Sequence, residues 1–352
     1  MAMNFPKLKK FLQEKGEPGY RYNQIVSDVV SGRVNSYEDV FTIPKRLREE
    51  LKEIVPLSSY SLKDIKISKD KKAYKALLKL FDGNLIETVL LNPKPELWSI
   101  CISCQVGYAM NCSFCATGKM GFIRSMTTEE ICDQILFWRQ YIASNQLKIH
   151  ISNIVYMGMG EPFANKEEVF ESIRWSTDKN LYGFGQRHLS VSTSGIVPGI
   201  KEFTDTFPQV NLAISLHAPT NELRQELMPV AKTHPLDQLV TAMQYYIAKT
   251  NRQLFIEYIL FEGKNDQDKH AVALGNLITD NFAKQKHLIH VNLIVYNPIQ
   301  AELRAASQER VTRFKQILEQ FRIAVTIRKS LGQEVEGACG QLSTASKKLP
   351  GI

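Results

Sequence analysis

The sequence predicts an α/β fold, with parallel strands joined by crossover helices in a barrel or part of one, behind a small helical N-terminal domain. Three observations carry this. Strand-like segments at 151–157, 188–192, 211–216, 253–260, 289–295 and 323–328 alternate with amphipathic stretches such as 166–176, 235–249, 268–280 and 306–321. That regularity through six units favours a barrel over a doubly wound sheet. Polar tails gather where four of those strands end: MGMGEP from Met157, STSG from Ser192, SLH from Ser215 and YNP from Tyr296. Residues 4–53, in contrast, read as helical.

In the N-terminal part, Tyr22, Ile25, Val26, Val29 and Val30 fall on one helical face, and Gly32 stops that helix. Ser36 is placed to cap the next short helix. Pro44 suits the first turn of a third, in which Leu47 and Leu51 point the same way. The pattern then changes: 73–81, 85–91 and 98–104 are short, apolar and partly alternating, as in strands of an antiparallel sheet. Thr127 and Glu130 match a capping box before a helix that aligns Ile131, Ile135, Trp138 and Ile142. Cys132, inside that helix, reads as an ordinary buried thiol. The expected organisation is a basic helical domain at 1–55, connecting strands at 56–100, a barrel at 101–335 and a tail at 336–352.

Composition narrows the class. Apolar residues make up 44% and charged residues 23%, as in a soluble globular protein. No run of eighteen apolar residues is present, and the N-terminus lacks the apolar core and cleavage site of a signal peptide, so a cytoplasmic protein without membrane spans is expected. The net charge is +8, and residues 1–80 hold 17 Lys/Arg against 10 Asp/Glu. A basic N-terminal region on a near-neutral body points to a polyanion such as RNA or DNA, although a solvated lysine-rich surface explains the same charge.

In α/β barrels, ligands bind at the carboxyl ends of the strands, so the four polar tails are expected to converge on one pocket. Each alone is weak: Gly158-Met159-Gly160 also reads as a tight turn, and His217 as a satisfied buried histidine. The cysteines add to them. Cys101, Cys104, Cys112 and Cys115 form two C-x2-C pairs separated by seven residues. Spacing alone leaves a closed zinc site, an iron–sulfur site and free thiols all open. Cys339 stands alone in the tail, and by itself reads as an inert thiol.

Ordered motifs along nearly the whole chain extend this reading: QVG from Gln105, CSFCATG from Cys112, MGMGEP from Met157, STSG from Ser192, NLAISLH from Asn211, GKND from Gly263, HVNLI from His290, YNP from Tyr296 and GACGQL from Gly337. On these the chain resembles the radical-SAM adenosine methyltransferases that modify large-subunit ribosomal RNA, the RlmN and Cfr group, and it is most like RlmN. The resemblance implies a radical-SAM partial (β/α)6 TIM-like barrel. It also implies a 4Fe–4S cluster on a C-x3-C-x2-C motif and S-adenosylmethionine, used twice per turnover. Cys112 and Cys115 match the second and third cluster cysteines. Gly160, Glu161, Ser192, Ser215, Leu216, His217 and Asn297 match positions that hold S-adenosylmethionine. Cys339 matches the cysteine that becomes S-methylated, Cys101 the second catalytic cysteine, and Glu87 a carboxylate with an acid/base role. Implied partners are large-subunit ribosomal RNA, with transfer RNA as a further candidate, and an electron donor such as flavodoxin or ferredoxin. Carbon 2 of the adenine is the expected target, and carbon 8, the Cfr type, is the alternative.

The sequence departs from this pattern at one position. The first cluster ligand should precede Cys112 by four residues, and that residue is Tyr108. A phenol is a poor substitute for thiolate on a cluster. The nearest spare thiol, Cys104, lies four residues too early and could serve only if the loop 105–109 repacked. An active enzyme that recruits Cys104 and a cluster-deficient RNA-binding relative are both open on the sequence.

Overall fold

The computed structural model describes residues 3–299, 303–328 and 331–343, so the expected tail at 336–352 is described as far as Ser343. Three helices open the chain: α1 (Phe5–Glu14), α2 (Tyr20–Val30) and α3 (Lys45–Ile54). The predicted face of α2 is buried as Ile25, Val26, Val29 and Val30. These helices share their core with the rest of the molecule. Phe5 packs edge-on against Trp175 at 4.9 Å between ring centroids. A Cβ on Gly32 would come within 2.5 Å of Arg139 Cβ, so the turn after α2 needs a residue without a side chain.

Next come β1 (Tyr60–Ile67), β2 (Ala73–Leu80), β3 (Leu85–Lys94) and β4 (Leu97–Cys101), paired antiparallel in sequence order. The short β5 (Gln105–Gly107), the single turn α4 (Ala116–Lys119) and β6 (Phe122–Ser125) follow, and α5 (Thr128–Ser144) leads into the alternating part. That part runs β7 (Ile151–Tyr156), α6 (Lys166–Thr177), β8 (Leu189–Thr193), α7 (Val197–Thr206), β9 (Asn211–Ser215), α8 (Asn221–Leu227), α9 (Leu236–Thr250), β10 (Leu254–Leu260), α10 (Asp268–Phe282), β11 (Ile289–Val295), α11 (Gln308–Gln320) and β12 (Ala324–Arg328).

One ten-stranded sheet holds the molecule together, in the order β1-β2-β3-β4-β7-β8-β9-β10-β11-β12. The six predicted parallel strands are β7 to β12, and β4 joins them by pairing parallel to β7. The sheet is therefore an open parallel barrel wall extended on one side by an antiparallel flank. Buried parallel strands need apolar residues on both faces, which is why β10 reads LFIEYIL with every residue but Phe255 buried. Strand β1 escaped the sequence reading because it is an edge strand, largely exposed and rich in charge, with little apolar alternation to detect.

Two local features shape the cysteine loop. Strands β5 and β6 pair antiparallel, and the Tyr108 amide donates to the Gly121 carbonyl at 3.0 Å. Gly107 sits at φ +82° with its missing Cβ only 2.0 Å from Gly121 O, so only glycine fits there. The loop 108–121 is thus closed as a hairpin arm beside the barrel. At its far end, Thr127 accepts from the Glu130 amide and Glu130 accepts from the Thr127 amide, the capping box expected before α5. Cys132 is buried in the main core, its thiol 3.7 Å from the Ser172 carbonyl.

Candidate active site at the strand ends

The tail of β7 sets the floor of the site. The Gly158 amide donates to Ile102 O at 3.1 Å, and the Cys104 amide donates to Met159 O at 2.8 Å, so the MGMGEP segment lies against residues 102–105. Both glycines are required by that approach. A Cβ on Gly158 would sit 2.6 Å from Ile102 O, and one on Gly160, which has φ +103°, would sit 2.6 Å from Gln105 Cβ. The close packing is that of a tight turn, and it brings the backbone to the cavity wall.

Two cavities open at the carboxyl ends of the parallel strands. The first, about 140 Å³, is lined by Tyr108, Cys112 and Cys115 from the cysteine loop. Gly160, Glu161, Ser192, Ser215 and His217 from the strand tails also line it. The second, about 440 Å³, is lined by Cys101, Asn297, Lys94 and the apolar residues Leu91, Val155 and Leu331. Cys339, Arg328, Met157, Ile294 and Leu342 line both. The structure thus brings together every predicted site residue except Glu87, Cys104 and Leu216, which line neither cavity.

Glu161 is buried, and its carboxylate accepts from Thr193 Oγ1 at 2.5 Å, from the Ser194 amide at 2.8 Å and from the Phe163 amide at 3.2 Å. Burial raises its pKa, and these donors partly offset that. His217 sits at φ +58°, and its Nδ1 accepts from the Ile259 amide at 3.1 Å, which leaves the proton on Nε2. Burial, aided by the Arg224 charge, lowers its pKa to about 3, so the ring is neutral. Phe114 packs edge-on against it at 5.0 Å.

Cys101 ends β4. Burial, with the neighbouring Cys339 sulfur, pushes its pKa up to about 12, while Arg328 pulls the other way. Arg328 ends β12 and pairs with Glu257 at 3.0 Å, and its pKa is raised chiefly by that charge and further by the Cys339 and Cys101 sulfurs. Cys339 is exposed, with its carbonyl accepting from Asn297 Nδ2 at 3.1 Å. Neither cysteine is in a disulfide.

The cysteine loop is the place where the expected metal site can be checked. The Cys112 thiol lies 3.9 Å from the Tyr108 hydroxyl, and burial pushes the pKa of Cys112 up to about 12. Tyr108, Cys112, Cys115 and Phe114 belong to a small apolar cluster of their own. Cys104 belongs to the main core instead. Its amide is held by Met159 O, and its carbonyl accepts from Asn165 Nδ2 and from the Met126 amide. The repacking that would carry Cys104 to the other thiols is therefore opposed on both sides of its peptide unit. Among the described residues no three His, Cys, Asp or Glu side chains are arranged to hold a metal ion. The cysteine loop offers that cavity two thiols and a phenol, and the third thiol on its wall, Cys339, comes from the tail, so the loop does not supply the three thiolates of a 4Fe–4S motif.

The parallel barrel wall carries the cysteine loop and the MGMGEP, STSG and SLH tails on the first cavity, while the YNP tail reaches the second through Asn297 instead of converging with them. The class is radical SAM, and residues 102–274 match the Radical SAM superfamily. The "Ribosomal RNA large subunit methyltransferase Cfr" of Clostridium botulinum strain Okra is 38% identical over 339 residues, 96% of each chain. The "Probable dual-specificity RNA methyltransferase RlmN" of Thermoanaerobacter sp. strain X514 is 40% identical over 341 residues, covering 97% of this chain and 96% of its own. A crystal structure of a radical SAM methyltransferase from Sphaerobacter thermophilus superposes with a TM-score of 0.91 at 37% identity, covering 97% of this chain and 98% of that one. The chain belongs to the radical SAM ribosomal RNA methyltransferase family that contains Cfr and RlmN. That family implies S-adenosylmethionine and a 4Fe–4S cluster. No helix among the described residues is long and apolar enough to cross a membrane.

Two residues that matter here were not singled out from the sequence. Arg328 and Arg224 read as ordinary helix or strand-end cations, and only the fold places one across both cavities and buries the other beside Ser194 O at 2.5 Å.

Proposed function

We propose that the protein methylates carbon 2 of an adenosine in large-subunit ribosomal RNA, with transfer RNA as a second candidate substrate, by way of S-methylated Cys339. The observation that carries this is the position of Cys339 on the wall shared by the two cavities. The smaller cavity, with Gly160, Glu161, Ser192, Ser215 and His217, is the place for S-adenosylmethionine. The larger, with Cys101, is the place for the adenine ring. A sulfur that belongs to both can receive a methyl group on one side and present it on the other. Asn297 would fix the tail through the Cys339 carbonyl, and Leu216 would act from behind the wall.

The polar steps follow from this chain's own residues. The Cys339 thiolate attacks the S-adenosylmethionine methyl carbon; a sulfur–carbon bond forms, the sulfonium bond breaks, and S-adenosylhomocysteine leaves. Once a methylene joins the Cys339 sulfur to the ring, Cys101 gives up its proton and attacks that sulfur. A disulfide forms, and the carbon–sulfur bond breaks with its electron pair on the carbon, which takes up a proton to become the methyl group. Glu87 is the residue that the family resemblance assigns to ring proton transfer. The basic N-terminal helices would hold structured RNA by phosphates and shape. A bound 4Fe–4S cluster would supply the electron for the family's radical chemistry on a second S-adenosylmethionine, and a donor such as flavodoxin or ferredoxin would recharge it. Two thiols and a phenol do not make that site, and no radical step is assigned to these residues. Carbon 2 is preferred over carbon 8 because the RlmN type is the commoner in the family.

Tyr108 favours a second reading, a cluster-deficient relative that binds RNA without modifying it. Anaerobic reconstitution with iron and sulfide separates the two. About four irons per chain with release of 5′-deoxyadenosine from S-adenosylmethionine supports the enzyme. No cluster under those conditions sinks it. In a protein that does assemble the cluster, Cys339→Ala should still cleave S-adenosylmethionine yet transfer no methyl group; continued RNA methylation would remove Cys339 from its role.

A further inference from the structure

The tail that carries Cys339 has little regular structure of its own. It holds one short 3₁₀ turn, Gln333–Val335, and three residues in the left-handed region, Gly332, Glu336 and Gly340. Such a segment must be held from outside if its sulfur is to stay between two cavities.

The holding group is a buried ion pair on the antiparallel flank. Lys75 on β2 and Glu87 on β3 are almost wholly enclosed, with Lys75 Nζ 3.1 Å from Glu87 Oε1. Glu87 stands opposite Leu77 in the strand register, so Lys75, two residues before Leu77, is its diagonal neighbour on the same face. Each partner also reaches the tail. Lys75 Nζ donates to the Glu336 carbonyl at 3.1 Å and lies 3.6 Å from the Glu336 carboxylate. Glu87 Oε2 accepts from the Ser343 amide at 3.0 Å. The contacts therefore fall three residues before Cys339 and four residues after it.

We propose that Lys75 is a positioning residue for Cys339, and that the Lys75–Glu87 pair is a latch holding the tail across the strand ends. The inference deepens the reading of Cys339 as methyl carrier and rests on it for its purpose, though not for its geometry. Other ties exist: Ala116 N donates to Gly340 O at 2.8 Å and Thr117 Oγ1 to Leu342 O at 2.6 Å. These come from the cysteine loop, which is itself an excursion from the barrel. Asn297, after β11, donates to the Cys339 carbonyl at 3.1 Å and accepts from Gln333 Nε2 at 2.6 Å. Among the described residues, the Lys75–Glu87 pair is the tie from within the sheet strands that reaches both sides of Cys339. Lys66 adds a contact to the Glu336 carboxylate at 3.0 Å, but both groups are largely exposed and such pairs contribute little. The latch also bears on Glu87. With one carboxylate oxygen on Lys75 and the other on the Ser343 amide, Glu87 meets a substrate proton only when the tail lifts from it.

The test is hydrogen–deuterium exchange on the full chain, comparing the tail peptide 331–343 with the strand peptide 73–94. Replacing the pair by apolar residues, Lys75→Met with Glu87→Leu, avoids leaving a lone buried charge. Exchange in the tail should quicken about tenfold while the strands keep their protection. Ser343→Pro removes one latch donor without touching the sheet, and should quicken exchange at 337–342 in the same way. In methyl-transfer assays Ser343→Pro, which leaves the Glu87 side chain in place, should lower kcat and leave the KM for RNA unchanged. Unchanged tail protection in either variant, with the strands still protected, would overturn the latch. Continued RNA methylation by Cys339→Ala would overturn the reading of Cys339 and leave the exchange result standing.

Discussion

The Tyr108 hydroxyl stands 3.9 Å from the Cys112 sulfur, within the cavity where the family's cluster would need a third thiolate. Both residues are held by a loop that is closed at its base by the β5–β6 pairing and by the Tyr108–Gly121 hydrogen bond. Tyr108 therefore stands beside Cys112 in space as well as in sequence.

Tyr108→Cys should complete a three-thiol set with Cys112 and Cys115. After anaerobic reconstitution, iron bound per chain should rise toward about four, with the visible absorption of a 4Fe–4S cluster. Adding Cys112→Ala to that variant should abolish the gain. Equal iron in Tyr108→Cys and the wild type would show that Tyr108 is not what limits the site.

Cys104→Ala tests the relocated ligand. Because Cys104 lies in the main core, with its amide and carbonyl both engaged, the substitution should leave reconstituted iron unchanged. Its only effect should be a stability loss of about 1 kcal/mol for the buried sulfur. Loss of iron on this substitution would mean that the loop 105–109 does rearrange.

Gly160→Ala introduces a Cβ that would sit 2.6 Å from Gln105 Cβ at a φ of +103°. The strain is worth about 1–3 kcal/mol, and it falls beside Glu161 on the cavity wall. S-adenosylmethionine affinity, read by calorimetry on the apoprotein, should fall at least as much as thermal stability does. An unchanged affinity would place the ligand elsewhere.

Two buried groups give opposite pH dependences. For His217 the folded pKa is about 3 against 6.5 when exposed. Between those values the unfolded chain binds a proton that the folded protein refuses. Its contribution is thus complete above pH 6.5 and is lost as pH falls toward 3, at up to ~1.4 kcal/mol per pH unit. For Asp133, whose carboxylate accepts from the Ser59 amide at 2.7 Å, burial raises the pKa from 3.8 to about 8. Here the folded protein keeps a proton that the unfolded chain releases, so stability is complete below 3.8 and is lost as pH rises to about 8. Urea midpoints across pH 4–8.5 should show Asp133→Asn gaining on the wild type toward the alkaline end. A constant offset between the two proteins would refute the assignment.

The sequence by itself determined most of the scaffold. The six parallel strands were legible because each is a short apolar run between amphipathic helices, and strand ends are where such folds collect polar residues. The helical start and the Thr127 capping box were legible because helix faces and caps are local patterns. Edge strand β1 and the β5–β6 hairpin were not, since their pairing depends on partners rather than on their own periodicity.

What only the tertiary structure decided is which of the chemistry-bearing residues share a space. Four cysteines close in sequence separate into Cys112 and Cys115 on one cavity, Cys101 on the other and Cys104 in the core, while Cys339, more than two hundred residues away, stands on the wall between the cavities. Glu87 leaves the cavities and joins Lys75 in holding the tail. The physical reason is that spacing along a chain sets local geometry only within a helix, strand or turn. Across loops, position is set by which backbone groups must find hydrogen-bond partners and which side chains must leave water, and those are properties of the whole fold.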